Sequence, residues 1–329
     1  MKNKILLVFF LPLTFICRAQ HKEFYKTTIN ATILLYKKTN GHLKAHGTAF
    51  ILYNYDETSD EAILVTCEHV THHDTLIAAI PAVDSLKNAL IKNKQSTLTF
   101  ASRNGMQTVG FDGNNLLFSI PVEPGNNYFT HSNLDLATIF CNIPSTLTNK
   151  RNQLVCLTNM KSLPKSCMSL KNDFYAGQEI IFAGFPAGIG TQNGFFDSNM
   201  YRDMKTNPLF RKGIISWTSE NADMFLVDGL SYGGNSGSPV FSIPEGNTEG
   251  KFLGMVVGHL NDEVEINNMN ADTLKKDIQS PRSYINVNNG LAQCIPAYLI
   301  YNFACQAGKN RAKLVAQKKE RAYSPISSR

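Results

Sequence analysis

Apolar residues along this chain fall into short runs broken by clusters of Asn, Asp, Gly and Pro, a rhythm that predicts strands rather than helices. Runs at 29–36, 48–53, 62–67, 75–80, 116–120 and 134–140 read as one set of strands. Asn54-Tyr55-Asp56, Asp112-Gly113-Asn114-Asn115 and Pro124-Gly125-Asn126-Asn127 mark turns between them. Residues 81–91 form the one helical pattern of this half. A polar connection over 144–151 leads to a second set at 154–157, 179–184, 213–217, 224–227, 240–243, 252–258 and 290–295. Many short strands without intervening helices predict an all-β fold of two packed six-stranded antiparallel barrels, at 20–147 and 148–305. Two long polar segments, 185–212 and 261–285, read as loops suited to substrate contact. Pro296 opens a short amphipathic helix over 296–307. Beyond it, 306–329 is a basic tail with Lys309, Arg311, Lys313, Lys318, Lys319 and Arg321 against Glu320, read as a solvated end rather than a nucleic-acid contact.

The first residues stand apart from this pattern. Met1-Lys2-Asn3-Lys4 is basic, 5–16 is apolar, and Cys17-Arg18-Ala19 precedes Gln20. This reads as a secretory signal peptide over 1–19, too short for a membrane span, and it predicts export to a periplasm or beyond. Lipidation at Cys17 is the competing reading, opposed by the bulky Ile16 before it. Later apolar runs are too short to insert stably in a membrane. Removing 1–19 takes away Lys2, Lys4 and Arg18 and no acid, so the net charge of +6 falls to +3. That balance does not point to nucleic acid. Six of the seven cysteines remain, without a Cys-x-x-Cys pair; buried thiols and one or two disulfides both stay open.

Three stretches carry candidate chemistry. Gly233-Gly234-Asn235-Ser236-Gly237-Ser238-Pro239-Val240 sets one serine in a run of small residues, where glycine frees the backbone for a tight turn. Leu64-Val65-Thr66-Cys67-Glu68-His69-Val70 and Asn133-Leu134-Asp135-Leu136-Ala137-Thr138-Ile139 each set one polar group beside an apolar run. A serine hydroxyl needs an imidazole to take its proton. The imidazole in turn needs an acceptor on its other nitrogen. His69 is the candidate base, Asp135 the orienting carboxylate and Ser236 the nucleophile, with the Gly234 and Ser236 amides as an oxyanion hole.

These blocks, in this order and spacing, resemble the three signatures of trypsin-like (chymotrypsin-fold) serine peptidases. Residues 180–188, Gly213-Ile214-Ile215-Ser216 and Gly290-Leu291-Ala292-Gln293-Cys294-Ile295-Pro296 are similar to the second-barrel pattern of the bacterial HtrA-like branch, here without a PDZ domain. The resemblance spans roughly residues 28–305. It implies a serine endopeptidase that needs no cofactor or metal and acts on a protein or peptide substrate. It does not indicate an oligomeric state. It implies a primary pocket with Leu230 at its base and His259 and Gly290 on its walls. That points to a small or apolar side chain before the cut, with His259 leaving room for an acidic one.

Departures from the pattern are Ser238 for a glycine, Glu68 for a small residue, and Asn235 where zymogens carry aspartate; activation by a cut N-terminus is therefore not expected. His72 and His73 beside His69 lack carboxylate or cysteine partners at metal-ligand spacing. The glycines at 184–190 lack the lysine of a phosphate loop. The rival function is a catalytically silent binding module of the same fold. A third reading, an esterase on this fold, is less favoured, since the α/β-hydrolase elbow needs a strand–turn–helix and the order Ser, Asp, His, neither of which is seen.

Overall fold

The computed structural model describes residues 22–52, 61–72, 75–102, 105–143, 146–148, 154–171, 173–186, 207–244, 250–266 and 283–323. The signal peptide expected over 1–19 with Cys17, together with His73 and residues 187–206, lies outside the described residues.

A helix over 22–31 (α1) leads into β1 (Thr32–Thr39), β2 (His42–Leu52), β3 (Ala62–Thr66), a single 3-10 turn at Glu68–Thr71, and β4 (Thr75–Pro81). Helix α2 (Asp84–Lys92) precedes β5 (Thr97–Ser102), β6 (Gly105–Phe111), β7 (Asn115–Pro121), β8 (Tyr128–Thr130) and β9 (Ala137–Cys141). These strands form one nine-stranded antiparallel sheet in the order β5-β6-β7-β4-β1-β2-β3-β9-β8. β1 can be continuously apolar because both its faces are covered. Ile33 and Leu35 join the main core, while Leu34 and Tyr36 pack with Ala79 and Phe185 on the other side.

A hairpin of β10 (Thr146–Thr148) and β11 (Leu154–Cys156) links the halves. The second half comprises β12 (Glu179–Gly184), β13 (Leu209–Thr218), β14 (Phe225–Asp228), β15 (Pro239–Ser242), β16 (Phe252–Ile266) and β17 (Ser283–Pro296). They close an antiparallel six-stranded barrel in the order β12-β13-β14-β17-β16-β15. Phe182, Ile215, Phe225, Val227, Val240 and Ala292 fill it. The alternate residues face outward into the main core: Ile181 of β12, Phe241 of β15 and Met255 and Val257 of β16 pack with Phe50, Val65 and Ile139 of the first sheet. One apolar core therefore joins the two halves, and α3 (Ala297–Tyr323) adds Ile300, Ala304 and Ala307 to it.

Several sequence expectations change. One closed barrel is seen, over the second half. In the first half β5 and β6 extend the strands into a nine-stranded order, and a second closed barrel is not seen among the described residues. Residues 29–31 end α1 rather than open a strand: Thr28 and Thr32 hydroxyls donate to the carbonyls of Phe24 and Thr28, and Phe24 packs edge-on to Phe241. Part of 261–285 is strand, since 261–266 pairs with 283–288 in a hairpin that continues the barrel. The tail expected from residue 306 is helical to Tyr323. Its apolar positions 300, 304 and 307 are followed on the same face by Arg311, which docks on Glu61 and Asn126. No disulfide joins the six cysteines at 67, 141, 156, 167, 294 and 305. No helix among the described residues is long and apolar enough to cross a membrane.

Candidate active site

Register places His69 beside Asp135. β3 and β9 are antiparallel partners with Thr66 opposite Ala137, so the residues just after β3 lie next to those just before β9. After Thr66 the chain enters the 3-10 turn carrying His69. Before Ala137 a tight turn, closed by Leu136 N–H to the Leu134 carbonyl at 2.7 Å, presents Asp135. The Asp135 Oδ1 accepts the His69 amide at 3.0 Å, and its Oδ2 lies 2.6 Å from His69 Nδ1. Burial pushes the Asp135 carboxyl up, but hydrogen bonds from the His69 ring and from the His69 and Glu68 amides outweigh it and hold the group below the ordinary carboxylate range. An ionised acceptor makes Nδ1 the donor and leaves the Nε2 lone pair for a proton from elsewhere. Both side chains remain partly open to solvent. Phe303 of α3 packs against His131, on the turn that carries Asp135, with ring centroids 5.4 Å apart.

Ser236 arrives from the other half, on the loop between β14 and β15. Gly234 and Gly237 have φ of 95° and 89°, a region open to glycine, which the tight double turn requires. Asn235 N–H to Tyr232 O at 3.0 Å and Ser238 N–H to Asn235 O at 2.9 Å form the turns. Gly237 N–H to Val256 O at 2.8 Å ties the loop to β16. The amides of Gly234 and Ser236 have no acceptor among the described residues, as an oxyanion hole requires. Ser238, the departure from glycine, is fully buried; a Cβ on Gly184 would sit 1.9 Å from its Oγ, so β12 packs directly on the loop.

What joins the two halves of the site is β2, which the sequence did not single out. Buried Thr48 donates from its amide to the Ser236 carbonyl at 2.9 Å and from Oγ1 to the Gly234 carbonyl at 2.8 Å. Its Oγ1 also accepts the Phe185 amide at 3.0 Å. Thr66 Oγ1 donates to the Thr48 carbonyl at 2.7 Å, and a Cβ on Gly237 would overlap that carbonyl at 1.8 Å. The preceding Gly47 makes room for the His69 turn, since a Cβ there would lie 2.7 Å from Val70. Two successive residues of one strand thus back the histidine turn and the serine loop. The available signal was a Gly-Thr step ahead of the apolar run Ala49-Phe50-Ile51-Leu52, at a position where strand alternation alone gives no reason for a buried hydroxyl.

The serine hydroxyl donates to the Val257 carbonyl at 3.4 Å, and no hydrogen bond to His69 is formed. Cys67 Sγ approaches the same stretch, 3.4 Å from the Val256 carbonyl and 4.0 Å from that of Val257. Cys67, His69 and Asp135 offer donor atoms within 4.8 Å of one another, a set that could hold a metal ion by spacing alone. Their chemistry points elsewhere. Burial, with the nearby Asp135 charge, pushes the Cys67 thiol well above its ordinary value, and the His69 and Asp135 donors are engaged with each other.

The residues expected to line the pocket lie on or beside neighbouring strands. Leu230 follows β14, whose Asp228 pairs with Leu291; the Gly229 amide donates to the Gly290 carbonyl at 2.9 Å, and His259 is opposite Ala292. Leu230 is largely exposed and His259 half-buried. Of the segment 185–212, expected as a loop that shapes this pocket, 187–206 lies outside the described residues and the end from Leu209 is already strand β13. Neither the family models nor the curated proteins compared with this chain give a match.

Proposed function

We propose that the chain is an exported serine endopeptidase resembling the trypsin-like group, with a first half that corresponds to an opened and extended barrel. The observation that carries this reading is the pairing of the 2.6 Å His69–Asp135 contact with a glycine-shaped serine loop, both backed by Gly47 and Thr48. A peptide strand lying between the two halves would present its carbonyl carbon to Ser236 Oγ. His69 Nε2 takes the hydroxyl proton as the C–O bond forms. The carbonyl oxygen, now negative, is held by the Gly234 and Ser236 amides. His69 then gives the proton to the leaving amine, and the acyl-enzyme is hydrolysed by water activated in the same way. No cofactor enters. Residues 1–19 support export.

A silent binding module is the second reading, favoured by the serine hydroxyl resting on the Val257 carbonyl instead of on His69. Unliganded sites often carry loose catalytic hydrogen bonds that tighten with substrate, so this contact does not decide the matter. Labelling with a fluorophosphonate does. The peptidase reading expects stoichiometric labelling of wild type and none of Ser236→Ala; folded wild-type protein that fails to label is the outcome for the binding module.

A further inference from the structure

A cation stands against the loop that carries Ser236, at a position the sequence pattern did not single out. Along β13, Ile215 points into the barrel interior, and Arg211, four residues earlier, lies on the same face. Its guanidinium therefore reaches the barrel end where β14 runs into the nucleophile loop. There Nη1 donates to the Leu230 carbonyl, and the guanidinium carbon lies 4.6 Å from the centre of the Tyr232 ring. Both contacts fix the group without neutralising it. Burial pulls the Arg211 pKa below its ordinary value, Tyr232 opposing, yet arginine stays charged.

Four other cations of the described residues meet a carboxylate. Arg311 has Glu61, Lys161 has Glu23, Lys212 has Glu179 and Lys251 has Asp173. Arg211 pairs with no carboxylate among the described residues. Open space adjoins its partners, since a Cβ added at Gly233, next to Tyr232, or at Gly290, which accepts the Gly229 amide, would meet no atom within 4 Å. A partly desolvated guanidinium with spare N–H donors beside open space is suited to receive a carboxylate.

We propose that Arg211 determines specificity, binding the carboxylate of an acidic side chain immediately before the scissile bond. This rests on the endopeptidase reading. It replaces the small or apolar preference suggested by Leu230 and gives the acidic alternative at His259 a partner: Arg211 supplies the charge, Tyr232 holds the guanidinium in place, and His259 forms the facing wall.

The test compares kcat/KM for peptide anilides identical except for glutamate, glutamine or leucine before the cut. The full chain is assayed as wild type, Arg211→Gln and Arg211→Lys. A charge-assisted pair predicts that wild type prefers glutamate over glutamine by roughly 10- to 100-fold. Arg211→Gln should erase that preference and leave the leucine substrate within about twofold, while Arg211→Lys restores part of it. Equal rates on glutamate and glutamine in wild type overturn the proposal. So does an Arg211→Gln loss shared by all three substrates, which marks a merely structural role.

Two further readouts keep the two readings apart: fluorophosphonate labelling, and calorimetric binding of peptides ending in glutamate or glutamine to Ser236→Ala. Arg211-dependent binding of the glutamate peptide without labelling of wild type retains the carboxylate site and sinks the peptidase. Labelling without discrimination does the reverse.

Discussion

The two edges of the candidate site are built differently. The His69–Asp135 edge belongs to one sheet. Its geometry follows from the β3–β9 register, two short turns and a pair of contacts, and its side chains stand partly in solvent. The Ser236 loop belongs to the barrel but is held by the sheet, through a buried threonine whose hydroxyl bonds on both sides and a glycine pressed on a carbonyl. The first edge is set by pairing within one sheet, with Phe303 of α3 packed against its His131. The second depends on the halves meeting, so the complete site reports on assembly of the whole chain.

The largest expected effect lies at the first edge. Asp135→Asn keeps the shape of the side chain but turns an acceptor of the Nδ1 proton into a group that can donate to it, favouring the wrong tautomer. An activity loss of about 10,000-fold with little change in fold is expected. The same variant tests the pH dependence. A carboxyl held below its ordinary range stabilises the fold fully above the unfolded-state pKa, and that contribution disappears as pH falls through the lower folded-state value. Wild type should therefore lose stability on acidification across the acid range by an increment that Asp135→Asn lacks. Superimposable acid limbs in thermal unfolding would mean that the pair adds nothing to stability.

Thr48→Val comes next and tests the second edge. It removes the hydroxyl and leaves the Gly234 carbonyl and the Phe185 amide without partners in a buried place, a loss of roughly 2–4 kcal/mol. The expected signature is a lower unfolding midpoint together with weaker fluorophosphonate labelling of Ser236, both recovered by Thr48→Ser. An unfolding loss with undiminished labelling would break the comparison, because the loop would then be held from within the barrel.

The candidate residues were easier to read in the chain than the contacts that hold them. His69, Asp135 and Ser236 stand in short stretches whose small or apolar neighbours announce a turn at a strand end, and the barrel strands follow their apolar runs. Thr48 gives only the weaker sign of a Gly-Thr step before an apolar run, because its partners at 185, 234 and 236 are brought to it by folding of the other half. Arg211 is one cation among many until the barrel turns it toward Leu230. The extended hairpin 261–266 and 283–288 was missed because little core covers it: Val264, Ile285 and Val287 remain exposed, so burial leaves no alternation to find. The helical tail was missed for the opposite reason. Its lysines and arginines look solvated, yet Arg311 anchors that stretch to Glu61 at 2.9 Å and Lys318 to Asn126 at 2.8 Å.

The smallest expected effect sharpens the comparison from the other side. Glu68 precedes His69 at a position where a small residue was anticipated, and its charge could have been part of the site. Its contributions here come from the backbone: the amide helps hold Asp135, and the carbonyl accepts the Thr71 hydroxyl at 2.6 Å. Glu68→Ala keeps both. If register and backbone set this edge, stability should change by less than about 0.5 kcal/mol, and kcat/KM should move by no more than about twofold, since 1.4 kcal/mol is needed for a tenfold change. A larger fall in activity at unchanged stability would show that a side-chain charge beside His69 takes part in the chemistry. The first edge would then be as dependent on individual side chains as the second is on Thr48.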